Sequence, residues 1–257
     1  MLKILIRTST VLLLLSVLFF FSCSNKNNDG TQSAVLNVAV SPEFSTLLKP
    51  LADNFAKRFG VETSLKTVEA DKLWTLTESC DFLIGVERDK AIKSVKDSGM
   101  QAVLWVSDDV VLAVRQGETF GVRKARDLQQ PLINPVAMPA QREEVGRRAM
   151  ELFDYWKVRN VLQPRIRIVP DSASAMKMLK SGRVRAAVLP AHLVASDPGV
   201  KQAFSFSPLA HQSIRKTALR TPRSRGKSAA DEFEHLLATD GVAVLTHAGY
   251  KAADTDF

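Results

Sequence analysis

The sequence predicts an α/β fold in which strands alternate with helices in parallel layers. Short apolar runs are separated by segments whose apolar residues recur at helical spacing, a pattern typical of parallel layers rather than of a β-sandwich. The chain has 257 residues, 46% hydrophobic and 24% charged, enough for one large domain or two modest lobes. Its two cysteines exclude a disulfide-dense scaffold and a Cys-rich zinc or iron–sulfur site.

The individual elements follow from the apolar spacing. The predicted strands are short apolar runs at residues 36–40, 61–65, 82–86, 102–106, 110–114, 136–138, 166–169 and 184–189. The predicted helices cover residues 44–59, 89–98, 145–156 and 171–181, and a further helix begins at Ser228. Pro50 falls inside the first helix, where we expect a kink or the loss of one backbone hydrogen bond. A last short helix is expected to start with Asp240 as its N-cap and to end at Gly249.

Residues 1–22 have the pattern of an export signal. Lys3 and Arg7 precede an apolar run that is too short for a comfortable membrane span of about 20 residues. The residues ending at Cys23 resemble a bacterial lipobox, in which the cysteine receives a lipid; a plain secretory signal with an incidental cysteine is the alternative. Residues 23–35 are polar and suit a flexible tether. The sequence therefore predicts an exported lipoprotein, anchored to a membrane on the periplasmic or cell-envelope side.

Short motifs follow one another in a fixed order along residues 36–250. They are VAVSPEF from Val38, LKPL from Leu48, FAKRFGV from Phe55, CDFL from Cys80, Gly146-Arg147, Ser174-Ala175, Ser181-Gly182 and Ala186-Ala187-Val188, with residues 229–250 as two closing helices. Together they resemble the molybdate-binding family of extracytoplasmic solute-binding proteins of ABC importers. Each motif is short, and the resemblance rests on their shared order.

The resemblance implies a two-lobed periplasmic-binding-protein fold of type II, with two crossover strands and a ligand cleft between the lobes. Lobe 1 would comprise residues 36–105 and 212–257, and lobe 2 residues 113–204. In such a cleft, backbone N–H groups at helix N-termini and serine hydroxyls bind an oxyanion, and binding closes the lobes by a hinge motion. The implied ligand is molybdate, tungstate or a similar oxyanion. We expect a monomer whose partner is an ABC permease. The resemblance implies no cofactor.

The implied ligand positions are occupied by few of the family's residue types. The candidate ligand-binding residues are Ser41, Glu43, Ser45, Glu69, Ala70, Val145, Asp171 and Ser172. A carboxylate about 4 Å from one unit of ligand charge costs roughly 4 kcal/mol at an effective dielectric near 20, or nearly three orders of magnitude in affinity. A neutral, zwitterionic or cationic solute is therefore the alternative ligand. The acids also have a structural interpretation, with Asp171 as an N-cap, Glu43 in a first helical turn and Glu69 on a solvated loop.

A stretch without acidic residues runs from residue 198 to residue 230. Its arginines are candidate docking residues for a permease or for an anionic membrane surface, and those we single out are Arg215, Arg220, Arg223 and Arg225. The plainer expectation for this stretch is a solvated return strand and loop, and docking is the functional alternative. A third hypothesis for the whole protein is a cell-envelope interaction protein that has lost ligand binding and works through this basic segment.

Other function classes find little support in the sequence. It contains no nucleophile elbow, P-loop or dinucleotide fingerprint, so we do not expect an enzyme. Its four histidines form no H-E-x-x-H pair or Cys/His cluster, so we do not expect a metal site. The formal charge is +8, and the export signal separates the chain from nucleic acid, which we do not expect as a partner.

Overall fold

The computed structural model describes residues 35–253, without the side chains of residues 125, 126 and 208. The predicted export signal, Cys23 and all but the last residue of the predicted tether lie outside the described residues. Within the described part of the chain, no helix is both long enough and apolar enough to cross a membrane.

The strands form two sheets. In chain order they are β1 (Leu36–Val40), β2 (Thr63–Thr67), β3 (Phe82–Glu87), β4 (Gln101–Asp108), β5 (Val110–Arg115), β6 (Val136–Pro139), β7 (Ile166–Val169), β8 (Ala186–Pro190), β9 (Val200–Ser205), β10 (Ile214–Arg220) and β11 (Lys251–Ala252). The first sheet has the order β11-β4-β10-β3-β1-β2, and the second has the order β7-β6-β8-β5-β9. Strands β2, β1 and β3 are mutually parallel, as are β7, β6 and β8, while β10 and β5 run antiparallel to their neighbours.

Helices connect the strands. They are α1 (Pro42–Phe59), α2 (Arg88–Ser98), α3 (Glu144–Tyr155), α4 (Arg159–Leu162), α5 (Ser172–Lys180), α6 (Ala191–Ala195), α7 (Ser228–Leu236) and α8 (Val242–His247). Short 3₁₀ turns lie at Ala70–Leu76, Ala125–Gln129, Pro131–Ile133, Gln163–Arg165, Pro208–Ala210 and Pro222–Ser224, and Leu237–Gly241 is a π-helical segment. Helices α1 and α2 directly follow the parallel strands β1 and β3, so their N-termini lie at the same edge of the first sheet.

Each sheet is covered by apolar side chains on both faces. Val38 and Val40 of β1 pack in a cluster with Phe55 of α1, whereas Ala39 between them packs with Leu83 on the opposite face. This is the two-residue alternation of a strand, with both faces buried. The second sheet likewise has two clusters, one on each side. Burial on both faces explains why the strands read as continuous apolar runs in the sequence.

The chain crosses between the sheets twice. It leaves the first sheet at Asp108, enters the second at Val110, and returns between Ser205 and Ile214. The expected two-lobed α/β fold with two crossovers is therefore confirmed. We call the first sheet with its helices the first lobe, and the second sheet with its helices the second lobe.

The structure differs from the sequence-based expectations at several points, and β9, β11, α4 and α6 have no predicted counterpart. The stretch between residues 198 and 230 contains β10, which is an interior strand between β4 and β3, so the solvated return strand expected there is wrong. Asp240 does not start a separate helix, because α7, the π-helical segment and α8 are continuous and Asp240 lies inside the π-helical segment. The apolar stripe of this helix continues through Leu237 to Leu245, both fully buried, which keeps the segment helical. Helix α1 also continues through Pro50.

Candidate functional site

The candidate residues that follow β1 form hydrogen bonds or ion pairs with neighbouring protein side chains. Ser41 is the N-cap of α1 and is fully buried, and its hydroxyl donates a hydrogen bond to Glu43 Oε1 at 3.3 Å. Ser45 lies one turn further along, with its hydroxyl 2.6 Å from that of Thr67. Glu43 lies in the first turn of α1, as predicted, where its charge complements the positive end of the helix. Of these three side chains, Glu43 is the one with an ion pair to the rest of the cleft.

Glu69 and Ala70 lie at the start of the 3₁₀ turn after β2. Glu69 is exposed and Ala70 is half-buried, while Leu73 in the same turn is fully buried and anchors it to the first lobe. No hydrogen bond or ion pair joins the Glu69 side chain to the other candidate residues in the described structure. The interpretation of Glu69 as a solvated loop residue is consistent with this placement.

The candidate residues of the second lobe lie at the N-termini of α3 and α5. Val145 is buried in the apolar cluster of the second sheet, so its side chain points into the core. Asp171 is the N-cap of α5 and accepts a hydrogen bond from the Ser174 backbone N–H at 2.7 Å, as predicted. This hydrogen bond lowers the pKa of the Asp171 carboxyl below its usual value, so Asp171 is ionised at neutral pH. Ser172, the next residue, is half-buried.

Carboxylates from both lobes converge at these helix N-termini. Burial raises the pKa of the Glu143 carboxyl above its usual value, and the negative charges of Asp171 and Glu43 raise it further. Glu143 lies directly before α3, so the carboxylates at the starts of α1, α3 and α5 act on one another electrostatically. In this cleft, the positive ends of the helices are therefore already faced by the protein's own carboxylates.

Lys216, which is not among the candidate residues predicted from the sequence, lies at the centre of this acidic arrangement. It belongs to β10, its side chain is only 10% exposed, and its Nζ lies 2.9 Å from Glu144 Oε2 and 3.7 Å from Glu43 Oε1. Burial alone would lower the pKa of Lys216, but Glu43, Glu144 and Glu87 raise it well above its usual value. Lys216 is therefore a permanent ammonium. In the sequence, Lys216 lies between Arg215 and Thr217 and is one of several basic residues in the stretch without acids, so nothing local marks it out.

A second group of polar contacts joins the lobes next to Lys216. Arg147 of α3 donates to Glu87 Oε2 at 3.2 Å, across the two lobes. Gln212, in the second crossover, accepts from Arg148 Nη1 of α3 at 2.8 Å and donates to Asp89 of α2 at 3.0 Å. Burial raises the pKa of Glu87, but Lys216 and Arg147 outweigh it and hold that pKa below its usual value. Helix α3 of the second lobe is thus held against the first lobe by charged and polar side chains.

An interlobe cavity of about 310 Å³ lies beside these contacts. Every residue that lines it is charged, and the lining consists of Glu87, Arg88, Asp89, Lys90, Glu144, Arg147 and Arg148. The lining offers hydrogen-bond donors and acceptors of both charge signs, which suits a small polar solute. Within residues 35–253, no group of His, Cys, Asp and Glu side chains has an arrangement that could hold a metal ion.

The candidate docking arginines have different environments. Arg220 is 12% exposed and its guanidinium binds Asp231 at 2.6 Å and Glu234 at 2.7 Å. Arg223 lies 3.8 Å from the buried carboxylate of Asp81, and Arg225 is exposed. Arg215 is half-buried on β10. Arg220 therefore belongs to an internal cluster, while Arg225 lies at the surface, where it donates a long hydrogen bond of 3.4 Å to the Gly99 carbonyl.

Comparison with known proteins supports the fold. Three similar solved structures are the substrate-binding domain of a molybdenum ABC transporter from Clostridium difficile (18% identity, TM-score 0.73), the periplasmic molybdate-binding protein of Azotobacter vinelandii (16%, 0.63) and the sulfate-binding protein of Mycobacterium tuberculosis (15%, 0.61). They cover 86%, 85% and 86% of this chain, and the chain covers 100%, 100% and 88% of theirs. At these identities the likeness concerns the fold.

A search of curated protein sequences finds no match. The model of one family, however, matches residues 36–251, which is nearly the whole described chain. The chain belongs to the bacterial extracellular solute-binding protein family.

Proposed function

We propose that the protein is the lipid-anchored substrate-binding component of an ABC importer and that it binds a small solute between its two lobes. The observation that carries this proposal is the convergence of the N-termini of α1, α3 and α5 at one cleft, with side chains of both lobes in contact across it. Family membership supports the solute-binding role. The neighbour described as part of a molybdenum ABC transporter supports the importer.

The proposal includes the predicted organisation of the chain. Residues 1–22 direct export, Cys23 carries the lipid, and residues 23–35 tether the lobes, which comprise residues 36–105 with 212–257 and residues 113–204. Replacement of Cys23 by Ser should release the protein from the membrane fraction of its host without changing its fold. Mass spectrometry of the processed N-terminus checks this, and an unmodified Cys23 in the wild-type protein contradicts the anchor.

The ligands of the structural neighbours make an oxyanion the first candidate solute. Two of these neighbours are described as molybdate-binding and sulfate-binding proteins. Helix N-termini such as those of α1, α3 and α5 supply N–H donors for an anion. This candidate is tested by differential scanning fluorimetry with molybdate, tungstate and sulfate, because a ligand that binds only the folded state raises the melting temperature.

The carboxylates of the cleft favour a second candidate, a small solute that carries a positive charge. Glu43, Glu143 and Asp171 present negative charge where an oxyanion would approach, and a single carboxylate at about 4 Å costs roughly 4 kcal/mol at an effective dielectric near 20. We expect glycine or putrescine, as zwitterionic and cationic probes, to raise the melting temperature more than molybdate does. The reverse order supports the oxyanion. No shift with any probe favours the hypothesis of an interaction protein without a ligand.

A further inference from the structure

Lys216 contacts both lobes in the way that a bound solute would. Its backbone belongs to β10 of the first lobe, and its ammonium lies between Glu43 of the first lobe and Glu144 of the second. We propose that Lys216 is an internal occupant of the cleft, and that its ammonium holds the lobes closed in the absence of solute. This inference goes beyond the proposed function, because it depends on the contacts between the lobes and on no particular solute.

The geometry around Lys216 is that of a cage for an ammonium group. Glu43 of α1 and Glu144 at the start of α3 lie 3.7 and 2.9 Å from its Nζ, and Glu87 at the end of β3 adds negative charge from further away. An ammonium has three N–H donors and no acceptor, so it suits several carboxylate oxygens at once. The side chains of Lys216 and Glu144 are 10% and 7% exposed, and little water screens this ion pair.

The partners of Lys216 are unequally divided between the lobes. Glu43 and Glu87 remain beside Lys216 in any arrangement of the lobes, because all three belong to the first lobe. Glu144 is the second lobe's carboxylate in this cage, and opening of the cleft would separate it from Lys216. After opening, Glu144 would keep Arg148 of its own helix at 3.5 Å but lose the shorter 2.9 Å contact with Lys216, so the Lys216 pair favours the closed arrangement.

The neighbouring contacts act in the same direction. Arg147, one turn beyond Glu144 on α3, pairs with Glu87 across the lobes at 3.2 Å. Gln212 links Arg148 on α3 to Asp89 on α2. Since all second-lobe partners lie on α3, this helix is the element that Lys216 and its neighbours hold in place. A solute with an ammonium group would compete with Lys216 for the same carboxylates.

The test removes the ammonium and measures the separation of the lobes. In Lys216→Met the apolar stem remains and the charge is lost, and we expect a larger radius of gyration in small-angle X-ray scattering than for the wild type. Glu144→Gln, which keeps the size of the side chain, should give the same increase, and it serves as the test if Lys216→Met fails to fold. Millimolar methylammonium should reduce the radius of gyration of Lys216→Ala, because it can occupy the vacated cage.

A matched control distinguishes closure from general stability. Lys227 pairs with the buried Asp81 at 2.5 Å within the first lobe, so Lys227→Met removes a comparable ion pair away from the cleft. We expect this variant to lower the melting temperature and to leave the radius of gyration unchanged. If Lys216→Met and Glu144→Gln also keep the wild-type radius of gyration, Lys216 is only a structural ion-pair partner and the inference is wrong.

Discussion

At the scale of the residue, several side chains that the sequence marks as ligand candidates serve the local structure. Ser41 is buried under the start of α1, and Asp171 closes the first turn of α5. The role of Asp171 follows from a short-range rule, since Asp is a favoured N-cap residue, whereas the Ser41 hydroxyl makes no capping hydrogen bond and donates to Glu43 instead. These local roles do not prevent a carboxylate such as Asp171 from facing the cleft, because a capping side chain at a helix N-terminus lies where a ligand would approach.

Replacement of Asp171 by Ala should destabilise the protein by about 1 kcal/mol at neutral pH, the usual value of a lost N-cap. Because the hydrogen bond from Ser174 lowers the pKa of Asp171, the ionised cap stabilises the fold above the ordinary value of 3.8, and this contribution is lost as the pH falls through the lowered folded value. The difference between wild type and variant in urea denaturation should therefore shrink in acid. Asp171→Asn keeps a capping oxygen, so it should lose less free energy of unfolding than Asp171→Ala, and the loss should depend little on pH.

Gly85 shows how closely the backbone of β3 approaches α1. It has φ +93°, and a Cβ built there would lie 2.0 Å from Ser41 Oγ. We expect Gly85→Ala to cost about 2–4 kcal/mol in free energy of unfolding, from overpacking and backbone strain together. Gly60→Ala is the control, because Gly60 also has a positive φ but has open space around its Cβ position. An equal loss in the two variants would show that φ alone matters.

At the scale of the element, Arg220 fastens α7 to the first sheet. Its strand, β10, is interior, and its guanidinium reaches Asp231 and Glu234 of α7 and the hydroxyl of Ser224 at 2.9 Å. The sequence shows a basic residue in a segment without acids, since the acids that bind it come later in the chain. Only the packing of α7 on the sheet brings them together.

Arg220→Ala should therefore lower the free energy of unfolding by about 1–3 kcal/mol, since it leaves Asp231 and Glu234 without their cation and removes the packed stem. Arg225→Ala should change it by no more than about 0.5 kcal/mol, as expected for an exposed residue. Urea denaturation checks both. If instead Arg220→Ala is neutral for stability and Arg225→Ala is not, the assignment of internal and surface roles is reversed.

At the scale of the whole molecule, a series of polar contacts between side chains lies at the junction of the lobes. Asp108, 4% exposed at the end of β4, accepts from the His192 backbone N–H at 3.3 Å and lies 2.5 Å from His192 Nδ1. His192 Nε2 lies 3.1 Å from the Tyr250 hydroxyl, and the Tyr250 ring packs on Phe44 at 5.1 Å between ring centroids. These contacts connect the first crossover, the second lobe and the C-terminal part of the first lobe.

We expect Asp108→Ala to uncouple the unfolding of the two lobes. Trp156 lies against the apolar cluster of the second sheet, and Trp105 and Trp74 lie in a cluster of the first. Variants that retain Trp156 alone or Trp105 alone therefore report one lobe each by fluorescence. Their urea transitions should coincide with Asp108 present and separate in Asp108→Ala, with a smaller m-value. Tyr250→Phe, which keeps the ring, should cost about 1 kcal/mol without separating the transitions. Coincident transitions in Asp108→Ala would contradict the coupling.

The sequence alone determined the α/β class, the order of most elements and the N-cap at Asp171, because apolar periodicity and capping are local properties of the chain. It placed most strands and helices within a few residues, and it identified the acids at the starts of α1 and α5. The resemblance carried by short motifs in order led to the solute-binding family.

Only the tertiary structure decided which charges meet. Lys216 and Glu144 are separated by most of the second lobe in the chain, and no local pattern indicates that they lie 2.9 Å apart. Likewise, nothing in the segment around Arg220 shows that its strand is interior. Long-range ion pairs depend on how separate elements pack, and the energy of each pair depends on the burial that this packing creates.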